Sequence, residues 1–212
     1  MSIMKWSRCV SAAAALLVAL LAPGAASAAT FTYHLQGNNA AASLEAMDQD
    51  GCTFTGAYVY VYETRDNIQP GAPQSGTWLS VQIYKTNECL GYEVLLNAFG
   101  SVALPAGAFD VQGNLTGATL DAEVPVFDYL TGQSGVVTIS LSWTGEGDVF
   151  RNLQSSRYSS PYYKFTYRSN GSYRSADVTG SLVYGGVDLA AGASAAGYLT
   201  ASQSGSVTIE TY

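Results

Sequence analysis

One histidine, three cysteines and nine cationic side chains are all that 212 residues offer in these classes. The single imidazole, His34, leaves only one candidate base for a nucleophilic triad, and the serine elbow of hydrolases is absent. A two-histidine zinc helix, a glycine loop cradling phosphate and a dinucleotide fingerprint are also missing. No metal and no cofactor are therefore expected. Cations are outnumbered by sixteen carboxylates, which disfavours nucleic acid, whose binding rests on clustered Lys and Arg. Beyond residue 28 the chain lacks both a sustained helical period and an apolar run long enough to span a bilayer as a helix.

The N-terminus carries the clearest address. Lys5 and Arg8 precede an apolar run from Val10 to Leu21, and Ala26, Ser27 and Ala28 follow Pro23 and Gly24. This reads as a signal peptide over residues 1–28, cleaved near Ala28, with a mature domain over 29–212. The Ala-rich leader is of bacterial type, and the product is expected to be secreted, periplasmic or in the cell envelope. Without Lys5 and Arg8, seven cations face sixteen carboxylates, a formal charge of −9. Cys52 and Cys89 then remain as an even pair, which in an exported chain predicts a disulfide.

What the chain has is strand and turn punctuation: short β-branched and aromatic runs cut by Gly, Asn, Asp and Pro. Val137, Ile139, Leu141 and Trp143 alternate with Thr138, Ser140 and Ser142. Ala118 to Val126 alternates likewise, as do Val207 and Ile209, and Leu90, Tyr92, Val94 and Leu96 form a further row. Such strands bury one face and wet the other. Ala57 to Tyr62 is apolar on both sides, as is much of Trp78 to Tyr84, which places them near the middle of the structure. Asn170-Gly171 predicts a type I′ hairpin turn, with Lys164 facing Asp177 and Arg168 facing Tyr173. Gln-Ser-Gly occurs at 74–76, 133–135 and 203–205, each expected to precede a strand.

The expected fold is all-β: one domain, an antiparallel two-sheet β-sandwich of about ten to twelve strands, with a closed β-barrel as the alternative. An outer-membrane barrel is disfavoured by phase. Positions alternating back from Tyr212 hold Glu210, Thr208 and Ser206, with Val207 and Ile209 on the opposite face.

Three features could carry chemistry. Asp121 and Glu123, two apart on a strand, lie about 6 to 7 Å apart at their α-carbons, within reach of a carboxylate-based glycan hydrolase. A wet strand face is the stronger explanation for them. Asp48, Asp50 and Gly51 form an acidic turn too short to specify calcium. Tyr162, Lys164, Arg168 and Tyr173 belong to a Tyr-rich segment holding most of the mature cations, and could bind a ligand by stacking and hydrogen bonding. The leading expectation is a non-enzymatic exported domain that binds a glycan or another cell-surface component. A glycan hydrolase and a structural, self-assembling surface protein are the alternatives.

Overall fold

The computed structural model describes residues 29–69 and 71–211, excluding the side chains at 35, 68 and 202–206. The expected leader lies outside the described residues. Ten strands run in chain order: β1 (Thr30–Met47), β2 (Thr53–Gln69), β3 (Gln74–Asn87), β4 (Glu93–Leu104), β5 (Phe109–Val111), β6 (Gly117–Asp128), β7 (Ser134–Ser159), β8 (Tyr163–Tyr184), β9 (Val187–Asp188) and β10 (Ser194–Thr211). A short 3-10 turn, Gly113–Leu115, precedes β6. No described helix is long and apolar enough to cross a membrane.

All ten strands belong to one antiparallel sheet of order β10-β1-β2-β3-β4-β6-β7-β8-β9, with β5 on β6. A further β8–β10 pairing closes eight of them into a circuit. The all-β antiparallel expectation holds. Both the sandwich and the barrel description fit, because pairing is continuous round the circuit yet the β4–β6 seam holds by two residue pairs, Ala98 to Asp128 and Phe99 to Phe127.

Alternation fills the interior of this circuit. Ala40, Ala42 and Leu44 of β1, Ala57, Val59 and Val61 of β2, and Leu79, Val81 and Ile83 of β3 are buried. So are Leu120 and Val124 of β6, Val137, Ile139 and Leu141 of β7, Leu182 of β8 and Leu199 of β10. A circuit of eight strands is just wide enough for side chains of this size to fill it. Trp143 is the largest buried side chain. Its Nε1–H donates to the Ala41 carbonyl oxygen at 2.7 Å, joining β7 to β1. Gly197 of β10 makes the room: a Cβ there would collide with the Ala41 carbonyl and crowd the indole and Val178.

At one end the strands outrun this core. Past Thr144, β7 has no partner in β6, and its residues Phe150–Ser159 pair with β8 alone. With the matching parts of β8, β10, β1, β2 and β3 they form an open, six-stranded arm.

Four expectations are corrected. Asn170 and Gly171 lie inside β8, opposite Leu153 and Asn152, and neither takes the left-handed backbone a type I′ turn needs. Flanking strands on both sides supply the hydrogen bonds a local turn would have made. The chain reverses instead at Ser160–Tyr163, where Ser160 N–H donates to the Tyr163 carbonyl at 2.9 Å and Pro161 supplies the fixed φ that suits a turn. Leu90 and Tyr92 are exposed in the turn between β3 and β4, not part of a strand row. Gln203–Gly205 lies within β10 rather than ahead of a strand. Finally, Ala57–Tyr62 and Trp78–Tyr84 are not buried on both sides: one side of each is core, while the other faces outward with Tyr58, Tyr60 and Tyr62 on β2 and Trp78, Ser80, Gln82 and Tyr84 on β3.

The disulfide is present. Cys52 and Cys89 bond with α-carbons 5.2 Å apart, clipping the β2–β3 hairpin where Glu88 N–H also donates to the Cys52 carbonyl at 2.8 Å. Closing this loop in the unfolded chain is worth about 4 kcal/mol by the chain-entropy relation.

Trp143→Phe removes the Ala41 hydrogen bond and leaves part of the interior unfilled. The expected cost is about 2 kcal/mol, read as a lowered urea midpoint with unchanged slope; an unchanged midpoint would show that this bond does not hold the circuit.

Candidate functional site

The four residues singled out as ligand contacts do not converge. Tyr162 sits in the Ser160–Tyr163 turn, 79% exposed. Lys164 is held by Glu210 of β10, Nζ to Oε1 2.9 Å, and not by Asp177. Arg168 faces Ser155 rather than Tyr173. Tyr173 is nine residues further along β8, roughly 30 Å from Lys164 at strand rise, and points to the opposite face. The grouping depended on the hairpin at Asn170-Gly171, and it goes with that hairpin.

Asp121 and Glu123 stand on the outer side of β6, Asp121 exposed and Glu123 exposed. Asp121 Oδ1 accepts from Ser140 Oγ at 2.6 Å. Asp48 and Asp50 turn their carboxylates onto backbone: Asp48 Oδ1 accepts from Thr53 N–H at 3.0 Å and Asp50 Oδ1 from Cys52 N–H at 2.8 Å. A hydrogen bond shared with Asp50, together with the Thr53 and Cys52 N–H groups, holds the Asp48 carboxyl down at about 2. These bonds account for the acidic turn as a cap on the strand entry, with Gly51 at φ 69°.

Tyr173 belongs to a constellation built from other strands. Because β2 sends Ala57, Val59 and Val61 inward, Tyr58, Tyr60 and Tyr62 point out. The register then sets a row across six strands: Trp78 of β3, Tyr62 of β2, Asn39 of β1, Thr200 of β10, Tyr173 of β8 and Phe150 of β7. At about 4.8 Å per strand the row spans roughly 24 Å. In the next row Tyr60 and Tyr198 flank Ala41, which is small enough to disappear beneath them at 1% exposure. Tyr173 and Tyr198 have ring centroids 5.5 Å apart, and Tyr60 and Tyr62 5.6 Å. The rings remain accessible at the margins: Trp78 is 44%, Tyr173 41% and Phe150 65% exposed.

Two further observations mark this face. A groove of about 270 Å³ runs past Phe150, Asn152, Gly171, Tyr173 and Thr200. Within it, Thr200 Oγ1 is a buried hydroxyl without a hydrogen-bond partner among the described residues, a condition that costs about 1 to 3 kcal/mol and calls for a reason. A second cleft, about 360 Å³, opens on the interior side at the mouth of the circuit, beneath the 3-10 turn. Asn38, Gln112, Asn114, Arg151 and Asn170 contribute to its lining. There Arg174 donates to the Gly147 carbonyl at 3.1 Å and to that of Leu115 at 3.4 Å. These bonds hold Leu115 in a left-handed backbone, φ 54°, unusual for a branched aliphatic residue.

The aromatic face was missed in the sequence because double-sided apolarity was taken for full burial. The Tyr-x-Tyr-x-Tyr spacing of residues 58, 60 and 62 opposite Ala and Val was the available signal, since tyrosine carries a polar tip suited to a wet face.

Burial, the hydrogen bond with Tyr58 and the neighbouring Tyr58 and Tyr173 push the Tyr198 hydroxyl up to about 12. An acid whose folded value is raised favours folding fully below its unfolded value near 10 and loses that contribution as pH rises toward 12. Tyr198→Phe should therefore flatten the fall in urea stability between pH 9 and pH 11; an identical fall in both proteins would contradict the packing described.

No family model matches the chain, and no curated protein sequence does. Among solved structures, one described as "a putative AttH" from Nitrosomonas europaea aligns at 14% identity and a TM-score of 0.30, over 86% of this chain and 51% of that one. The chain thus spans about half the length of that protein, and a likeness at this level carries no argument about fold or function.

Proposed function

We propose that this protein is an exported, non-enzymatic carbohydrate-binding domain that lays a glycan chain across the outer aromatic row from Trp78 to Phe150. The observation that carries the reading is the row itself: three exposed rings and Tyr62 on one sheet face, interrupted by Asn39 and Thr200, beside a groove holding a buried hydroxyl with no partner among the described residues. Sugar rings present apolar C–H faces and hydroxyl edges, so aromatic faces with amide and hydroxyl groups between them suit both. Tyrosine and tryptophan on strands are stiff, and lose little side-chain freedom when a ligand settles on them. The disulfide fits an extracellular setting.

The hydrolase alternative has less support, because neither Asp121 nor Glu123 lines the groove or the mouth cleft.

The test is retention on a panel of insoluble and soluble polysaccharides. Wild-type protein should be retained by at least one, and Trp78→Ala, Tyr173→Ala should weaken that retention at least about tenfold, about 1.4 kcal/mol, with an unchanged melting profile. Tyr162→Ala should retain like wild type. Failure of wild type to bind any glycan, or equal loss on Tyr162→Ala, would overturn the proposal.

A further inference from the structure

Polarity inverts along the arm. In the core half, alternation sends the aliphatic side chains in; at the strand tips, past an irregularity that shifts the register of β10 between Gln203 and Ser206, apolar side chains face out and polar ones in. The face continuous with the interior carries Arg157, Lys164, Thr166 and Arg168, with Glu210 and Thr208 from β10 and Thr30, Thr32 and His34 from β1. The outer face carries a belt two residues tall. One row is Tyr158, Phe165, Ile209 and Phe31, and the next contains Tyr167, Val207 and Tyr33. Tyr158 is 55% exposed and stacks near Tyr163, centroids 5.5 Å apart. The remaining belt residues are half-buried by one another.

We infer that this belt is a membrane foot: it docks the protein on a lipid bilayer surface, inserting shallowly without crossing. Four observations select this occupant. First, aromatic and aliphatic side chains outside with polar ones inside is the arrangement a sheet takes against lipid, and tyrosine favours the interfacial zone. Second, same-face residues along a strand are about 7 Å apart, so two rows suit the roughly 5 to 10 Å depth of interfacial insertion and fall far short of the about 25 Å band a spanning barrel needs. Third, three of the seven cations after Ala29, namely Arg157, Lys164 and Arg168, lie at this end of an otherwise acidic chain; Lys164 is paired with Glu210, which leaves Arg157 and Arg168 for headgroup phosphates. Fourth, β1 starts here, bonded through Ala29 to Thr211, N–H to Oγ1 3.0 Å. The apolar run ending at Leu21 is only eight residues away from Thr30, a reach of at most about 30 Å. Until the leader is cleaved, a bilayer that holds this run lies within that reach of Thr30.

The glycan-binding row stands farther along the strands, so the two surfaces are separable. The test is co-sedimentation with vesicles of phosphatidylglycerol and phosphatidylethanolamine in equal parts. It uses the chain from Ala29 onward, which contains every described strand and lacks the apolar run. Wild type should pellet with vesicles and leave an entrapped dye inside. Tyr158→Glu, Tyr163→Glu should bind at least tenfold more weakly with an unchanged melt, while Trp78→Ala, Tyr173→Ala should pellet like wild type. Absence of vesicle binding, equal binding by the glutamate variant or dye release would overturn the inference. So would a lipid-free dimer that the glutamate variant abolishes without any vesicle binding, which would assign the belt to a second copy of the chain.

Discussion

Everything in this structure depends on β10 lying between β8 and β1. Without that strand the sheet would be an open ribbon whose interior row of Ala, Val and Leu faced water on one side. With it, pairing returns on itself, and the apolar row becomes a core. The closure is narrow, and Trp143 shows how narrow. Its indole crosses to the Ala41 carbonyl through a gap that exists because residue 197 has no Cβ. A buried N–H needs a partner, and a tryptophan in a core of aliphatic side chains has few to choose from. The bond therefore fixes where β7 sits relative to β1, and with it the register of the strands between.

That register has consequences outside the core. Strand alternation allots every second residue to the exterior, and on β2, β3, β8 and β10 the exterior positions hold Tyr58, Tyr60, Tyr62, Trp78, Tyr173 and Tyr198. These rings roof over Ala41, rest on one another and raise the Tyr198 hydroxyl through mutual burial. The same strands then continue past the core. There is no longer an opposing wall, so the inward face can be polar, and arginine, lysine and threonine take it while Phe31, Phe165, Val207 and Ile209 turn outward. Alternation, shifted once in β10 between Gln203 and Ser206, thus produces a dry interior, an aromatic waist and an amphipathic arm.

Much of the local pattern was legible in the sequence. Val137 to Trp143 and Ala118 to Val126 bury the residues their alternation names, and Cys52 pairs with Cys89. Errors arose where a short-range signal competed with long-range pairing. Asn170-Gly171 has the chemistry of a tight turn, but β7 and β10 offer β8 hydrogen bonds on both edges, and a continuous ladder wins. Leu90 and Tyr92 alternate in sequence yet fall in a turn tied by the disulfide. The rings at 58, 60, 62 and 78 were read as buried because periodicity reports apolarity and not which neighbours cover it. Their assembly into one row needs the pairing of six strands, of which a linear sequence carries no direct sign.

The central claim is that the outer rings form working surfaces and are not merely the outside of a sheet. Hydroxyl-radical footprinting read by mass spectrometry tests it residue by residue on one sample. With a bound polysaccharide, oxidation should fall at Trp78, Tyr62 and Tyr173 while Tyr158 and Tyr163 stay reactive. Uniform reactivity at all five, with and without the glycan, would contradict the account.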